Sequence, residues 1–201
     1  QKINPLYLMV SLPPTFSYPA NDTTTKILKE AVIPFCRDSG LPLALMIGVK
    51  RAVNPSLQLA GDGLGRADLV ALESLCAENQ DVKFLCTVLS RENQQELCVI
   101  GRKFRNLHIF GCWWFTNIPS IIEEMTRLRL ELLGTSFTAQ HSDARVLDQV
   151  IYKWNHSRQI MIDVLTDKYT HLSQTGWPLT DQAIQRDVNN LLGAGFEEFC
   201  R

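Results

Sequence analysis

The stretch Leu43–Val49 (LALMIGV) consists almost entirely of apolar residues and ends in two cations, Lys50 and Arg51. The same pattern, a short apolar run followed by polar residues, occurs at five places along the chain. The other runs are Leu6–Leu12, Phe84–Leu89, Leu107–Cys112 and Thr135–Ala139. Apolar runs without strict alternation are typical of strands buried on both faces, as in parallel sheets.

The segments between these runs have helical periodicity. The predicted helices are Thr23–Cys36, Ala67–Glu78, Gln94–Phe104, Asn117–Leu132, Val146–Leu165 and a last helix capped by Thr180. Asn117 is the expected N-cap of the fourth helix, with Pro119 in its first turn and Gly134 at its end. Strands that alternate with helices predict an α/β fold. Five βα units are fewer than a closed barrel has, so a five-stranded doubly wound sheet remains an alternative.

Composition limits the classes of function. The chain has 201 residues and a net charge of −1, which suits a single domain over residues 1–201. It has no basic block that would indicate nucleic acid, and no apolar run of the ~20 residues that a membrane helix needs. Its six cysteines form no C-x-x-C pair, which favours a reduced, cytoplasmic protein. Because the chain starts at Gln1 and enters a strand almost at once, we expect it to be part of a longer protein.

The polar segment after the last apolar run, Gln140–Arg145, contains Asp143 and Arg145 close to His141. At a strand end, a carboxylate can bind a divalent cation or move a proton, and a guanidinium can hold an oxyanion or a substrate carboxylate. The alternative is an ordinary surface ion pair. The four histidines form no H-x-H or H-E-x-x-H motif, so the chain alone does not predict a complete metal site.

Other strand ends carry further candidates. Arg51 and Arg91 follow two of the runs, and several cations at strand ends favour an anionic or polyhydroxylated ligand over solvated loop charges. Trp113 and Trp114 follow a third run. Packing explains most such pairs, and we expect at most one ring to face a pocket, as a platform for a sugar. Gly61–Gly65 lacks the G-x-G-x-x-G register, so we predict a flexible loop there.

Several stretches resemble uronate isomerases, also named glucuronate isomerases in a divergent subgroup. They are Val10–Phe16, Met46–Lys50, Leu89–Gln94, Phe110–Phe115 and His141–Arg145. The family is a branch of the amidohydrolase superfamily with a distorted (β/α)8, or TIM, barrel. The resemblance covers essentially the whole chain as the family's C-terminal half. It implies that the runs are the fourth to eighth barrel strands, followed by C-terminal helices.

The resemblance also implies roles for single residues. Asp143 is the expected metal ligand and, with Arg145, the expected catalytic pair. The implied substrate-binding residues are Arg51, Arg91, Trp113, Trp114 and His141. The implied cofactor is a divalent metal, Zn²⁺. The family has histidine where this chain has Met46, and its metal-binding H-x-H motif would precede Gln1. This part of the protein therefore lacks two imidazole ligands of the implied metal.

The implied reaction interconverts D-glucuronate and D-fructuronate, or D-galacturonate and D-tagaturonate, through an enediol. We expect this chain to be inactive alone, to need the missing N-terminal half of the barrel, and to form homo-oligomers when intact. Two alternatives remain. A metal-dependent hydrolase of the same superfamily is disfavoured because Met46 and Thr87–Leu89 offer no histidine ligand. The other alternative is a non-catalytic fragment.

Overall fold

The structure, a computed structural model, describes residues 4–141 and 143–201, and these residues cluster into two compact units. Unit 1 extends to Ile109 and includes Phe199–Arg201, and unit 2 is Phe110–Glu198. Ser142, a member of the predicted Gln140–Arg145 site segment, lies outside the described residues. The expectation of one domain over residues 1–201 stays a prediction.

Unit 1 is built on four parallel strands and one short antiparallel pair. The strands are β1 (Leu8–Leu12), β2 (Leu43–Ile47), β3 (Val49–Lys50), β4 (Gly63–Leu64), β5 (Phe84–Val88) and β6 (Leu107–Phe110), whose last residue belongs to unit 2. β2 lies between β1 and β5, with Leu43 opposite Leu8 on one side and Phe84 on the other. Every residue of β2 and β5 is buried, which confirms the interpretation of their apolar runs as strands covered on both faces.

The five strands β1, β2, β5, β6 and β7 (Phe137–Thr138) form one sheet in that order. Beyond the end of β6, the Gly111 N–H donates a hydrogen bond to the carbonyl oxygen of Thr138, over 2.8 Å. The α/β fold expected from the alternating pattern is therefore confirmed. None of the helices in the described part of the chain is both long and apolar enough to cross a bilayer.

The segment Gly61–Gly65, predicted to be a flexible loop, forms part of a hairpin instead. Strands β3 and β4 pair antiparallel, with Val49 opposite Leu64. The buried carboxylate of Asp62 accepts a hydrogen bond from the Ala52 N–H over 2.8 Å. The prediction was wrong because it treated the glycines as loop residues and did not anticipate that Asp62 would anchor the turn.

The helices of unit 1 lie close to their predicted positions. They are α1 (Thr23–Ile27), α2 (Ile33–Ser39), α3 (Val70–Glu78) and α4 (Gln94–Gly101). A π-helical turn, Leu28–Val32, joins α1 to α2. Pro34, in the first turn of α2, has no N–H to continue the α-helical hydrogen bonds, which accounts for the irregularity.

Unit 2 contains the longer helices α5 (Pro119–Leu133), α6 (Leu147–Gln174) and α7 (Asp181–Asn189), and α8 (Gly195–Cys200) crosses into unit 1. Thr180 caps α7 as predicted, because its side chain accepts a hydrogen bond from the Ala183 N–H. Asn117 does not cap α5. Its side-chain amide donates to the Cys112 carbonyl oxygen over 3.0 Å, and Ile118 occupies the N-cap position.

Candidate functional site

Three successive polar groups of the backbone after β6 form hydrogen bonds with side chains. The Gly111 carbonyl oxygen accepts a hydrogen bond from Nη1 of the buried Arg129, over 2.8 Å. The Cys112 N–H donates to Oε1 of Gln140 over 3.3 Å, and the Cys112 carbonyl oxygen accepts from the Asn117 amide over 3.0 Å. These bonds fix the path of the chain directly before the two tryptophans.

The two tryptophans have different surroundings. Trp113 is only 4% exposed, and its side chain donates a hydrogen bond to the carboxylate of Asp143. Trp114 is partly exposed and stacks on Phe115, with their ring centroids 4.7 Å apart. Trp113 is thus a buried hydrogen-bond donor, and Trp114 is the more exposed of the two rings.

Asp143 lies in the loop after β7 with a left-handed backbone, φ +42°. Neighbouring atoms exclude part of the water around its carboxylate, and this raises its pKa above the usual value. The charges of Lys153 and Arg145 and the hydrogen bond from Trp113 act in the opposite direction. The ammonium of Lys153 also donates a hydrogen bond to the Asp143 carbonyl oxygen, over 3.2 Å.

His141 packs closely against the end of β6. Its ring centroid lies 5.1 Å from that of Phe110, and a Cβ atom at Gly111 would be 1.8 Å from its Cδ2. Burial lowers the pKa of His141 to about 4, and the positive charges of Arg129 and Lys153 contribute to this shift. The imidazole is therefore neutral at pH 7. Its buried Nε2 has no hydrogen-bond partner within the described part of the chain.

Arg145 has an exposed side chain, while its backbone is held by helix α6. Its N–H donates a hydrogen bond to Oε1 of Gln149 over 2.9 Å. The structure thus brings Trp113, His141, Asp143 and Arg145 to one region of unit 2.

The other two predicted cations, Arg51 and Arg91, belong to unit 1. Nη1 of Arg51 lies 2.5 Å from Oδ2 of Asp62, in an ion pair whose carboxylate is buried while the guanidinium is 65% exposed. Arg91 is exposed and begins the short 3₁₀ helix Arg91–Asn93. The substrate-binding roles of both residues stay predictions.

Three further residues contact this region without having been predicted from the sequence. Gln149 lies four residues after Arg145, and Lys153 lies four residues after Gln149. This helical spacing puts both side chains on the same face, and it could have identified them from the sequence. Arg129 had no such signal. It is one of several charged residues on an amphipathic helix, and only the structure shows that its side chain is 1% exposed.

A divalent metal was expected at Asp143, and that expectation stays a prediction. The Asp143 carboxylate and the neutral His141 imidazole are suitable donors for zinc. Residues 4–141 and 143–201 contain no group of three or more His, Cys, Asp or Glu side chains that could hold a metal ion. Protein zinc sites use at least three such ligands, and Asp143 and His141 are two residues of suitable type.

Comparison with solved structures gives clear relatives, although no family model and no curated protein matches the chain. A uronate isomerase from Bacillus halodurans C-125 is 52% identical, with a TM-score of 0.96 over 98% of this chain. A uronate isomerase from Thermotoga maritima is 16% identical with a TM-score of 0.77, and a glucuronate isomerase from Caulobacter crescentus is 14% identical with the same TM-score.

The match covers only part of each relative. The chain spans 46% of the Bacillus halodurans protein, 49% of the Thermotoga maritima protein and 47% of the Caulobacter crescentus protein. The last two are too distant in sequence to show more than a common fold. The fold expected from the resemblance, part of a barrel of the TIM type, is confirmed.

Proposed function

We propose, since this chain corresponds to part of a uronate isomerase, that the full-length protein interconverts D-glucuronate and D-fructuronate, and D-galacturonate and D-tagaturonate. The observation that carries the proposal is the 52% identity to the Bacillus halodurans uronate isomerase over 98% of this chain. Because the chain spans less than half of that relative, the activity belongs to the longer protein.

The reaction moves a proton between two carbons of the open-chain sugar. A base removes the proton from C2 of the aldose, the enediol forms, and a proton is delivered to C1 to give the ketose. The site therefore needs a base near C2, a positive group near the oxygen that gains charge, and an anchor for the distal carboxylate.

Three residues of this chain suit these roles. Asp143 is the proposed base, because the raised pKa of its carboxyl makes it more basic than an ordinary aspartate. The exposed guanidinium of Arg145, two residues away, is the proposed group that stabilises the developing oxyanion. Arg91 is the proposed anchor for the sugar carboxylate, since a planar guanidinium binds a carboxylate through two hydrogen bonds.

The remaining substrate contacts are proposed from exposure and protonation. The partly exposed Trp114 suits a sugar ring, and the neutral His141 suits a hydrogen bond with a sugar hydroxyl. Arg51 would contact substrate with the part of its guanidinium that does not pair with Asp62. A zinc ion at Asp143 also stays a proposal, with its other ligands supplied from outside this chain.

The cell compartment and assembly are proposals as well. The six cysteines form no disulfide bond in the described part of the chain, and five of them are buried, which favours the reducing cytoplasm and a role in carbohydrate metabolism there. Strand β1 is the first strand in the order of the five-stranded sheet and therefore lies at its edge. An exposed edge is normally covered, and we propose that the rest of the barrel and a homo-oligomer cover it.

The activity is tested directly with the full-length protein and D-glucuronate in D₂O. We expect a ketose product that carries deuterium at C1, because the proton returned from the enediol exchanges with solvent. Proton NMR detects the ketose and mass spectrometry detects the label. No conversion of glucuronate or galacturonate, with and without added Zn²⁺, would contradict the proposed function.

Replacing Arg145 with alanine in the full-length protein is expected to lower kcat/KM about tenfold or more, because one charge-assisted hydrogen bond to the developing oxyanion is lost. The melting temperature should hardly change, since the side chain is exposed. Steady-state kinetics and thermal denaturation measure both. Arg158→Ala, at another exposed arginine in unit 2, is the control. A large fall in melting temperature with unchanged kcat/KM would identify Arg145 as a structural residue.

The 201-residue chain by itself is expected to show no isomerase activity. It spans 46% of the Bacillus halodurans relative, and its described residues provide no three-ligand metal group. The measurement is an assay of the purified chain with D-glucuronate and added Zn²⁺, beside the full-length protein as a positive control. Circular dichroism establishes whether the chain is folded under the assay conditions. Clear turnover by the folded chain would refute the expectation.

A further inference from the structure

We propose that Lys153 is a positioning residue of this site, which acts with Gln149 to hold Asp143 and Arg145 against helix α6. The proposal rests on the isomerase function proposed above. We refer to Gln149 and Lys153 together as the α6 clamp.

The clamp holds the Asp-x-Arg motif at both of its ends. Oε1 of Gln149 accepts a hydrogen bond from the Arg145 N–H over 2.9 Å, and Nζ of Lys153 donates one to the Asp143 carbonyl oxygen over 3.2 Å. Residues four apart on a helix lie on the same face, so both side chains extend toward the same segment. One face of α6 thus determines the position of both proposed catalytic residues.

The backbone of Asp143 explains why such a clamp is needed. Its φ of +42° places it in the left-handed region, which aspartate adopts more readily than most residues but less readily than glycine. A strained conformation of this kind persists only where surrounding contacts maintain it. On one side the Trp113 side chain holds the carboxylate, and on the other Lys153 holds the carbonyl oxygen. Without Lys153, we expect the segment to relax and the carboxylate to leave Trp113.

The position of Lys153 distinguishes it from an ordinary solvated lysine. Its side chain is partly buried, and its charge acts on both Asp143 and His141. Lys168, on the same helix, instead forms an ion pair with Glu131. Lys168 is therefore a matched control, because it has the same charge and the same helix but no contact with the Asp-x-Arg segment.

The kinetic test compares Lys153→Met, Lys153→Arg and Lys168→Met in the full-length protein. We expect Lys153→Met to lower kcat about tenfold or more with KM changed less than about twofold, since substrate is still bound by other groups. Lys153→Arg should restore kcat to within about threefold, because a guanidinium also donates to a carbonyl oxygen. Lys168→Met should match the wild type. Unchanged kcat in Lys153→Met, or an equal loss in both Lys153 variants, would overturn the proposal.

A spectroscopic test decides the proposal independently of activity. The chain has four tryptophans, and the ¹⁵N-labelled indole signal of Trp113 is the one lost in Trp113→Phe. We expect this signal to shift in Lys153→Met and to keep its wild-type position in Lys153→Arg and Lys168→Met. An unchanged Trp113 indole signal in Lys153→Met would contradict the proposed positioning role of Lys153. If the wild type converts no uronate, the proposed function fails, while this measurement still decides whether Lys153 positions Asp143.

Discussion

Replacing Asp143 with asparagine in the full-length protein is expected to lower kcat by a factor on the order of 100 or more, the usual contribution of a general base. Asparagine has nearly the same shape, and its amide oxygen can still accept the hydrogen bond that Trp113 donates to the carboxylate. The change therefore removes basicity and charge while it retains the local packing. Uronate turnover at saturating substrate is the measurement.

Two controls make this result specific. Asp163→Asn changes another acidic residue of unit 2, on helix α6, and should leave turnover unchanged. The metal content of purified Asp143→Asn, compared with the wild type, separates two causes of a loss. Loss of turnover with unchanged metal content supports the base, whereas loss of both supports a ligand role. Near-normal turnover would show that Asp143 takes no part in the reaction.

Replacing Gly111 with alanine is expected to lower the free energy of unfolding by about 2–5 kcal/mol. The left-handed φ of +67° costs a residue with a Cβ about 1–2 kcal/mol. The new Cβ would also lie 1.8 Å from Cδ2 and 2.7 Å from Cγ of His141, and overpacking of this kind costs about 1–3 kcal/mol. Denaturant unfolding of the full-length protein measures the change.

A matched glycine separates the two costs. Gly40 has a similar φ of +69°, but no atom lies within 4 Å of the position of an added Cβ. Gly40→Ala should therefore lower the free energy of unfolding by about 1–2 kcal/mol, the cost of the left-handed backbone alone. In a His141→Ala background, the loss of unfolding free energy caused by Gly111→Ala should be smaller by about 1–3 kcal/mol, because the imidazole ring is no longer there to clash. Equal losses for Gly40→Ala and Gly111→Ala would show that the ring of His141 moves away at little cost.

The strands were largely predictable because burial on both faces leaves a direct trace in the sequence. The run Phe84–Leu89 became β5, Phe84–Val88, and all of its residues are buried. Helix limits were less certain, since they depend on local hydrogen bonds. Gly134, with φ +62°, ends α5 as predicted, whereas Asn117 is drawn away from its expected cap by the Cys112 carbonyl oxygen.

The candidate site was predictable only as a set of residue types. The sequence pointed to Asp143 and Arg145 and to one useful tryptophan. It did not distinguish the buried Trp113, which bonds to Asp143, from the partly exposed Trp114. It also did not show that Arg51 pairs with Asp62. Such pairings depend on which side chains meet after folding, and local periodicity carries no information about them.

The sequence by itself determined the α/β class, the order of the strands and helices, and the chemistry available at the end of the last strand. Each follows from short-range patterns of apolar, capping and charged residues. Only the tertiary structure decided how that chemistry is arranged. It places the ring of His141 where Gly111 has no Cβ, buries Arg129 beneath the Gly111 carbonyl oxygen, and sets Lys153 against the left-handed backbone of Asp143. These contacts join residues that are not neighbours in the chain, and they form only when packing brings their elements together.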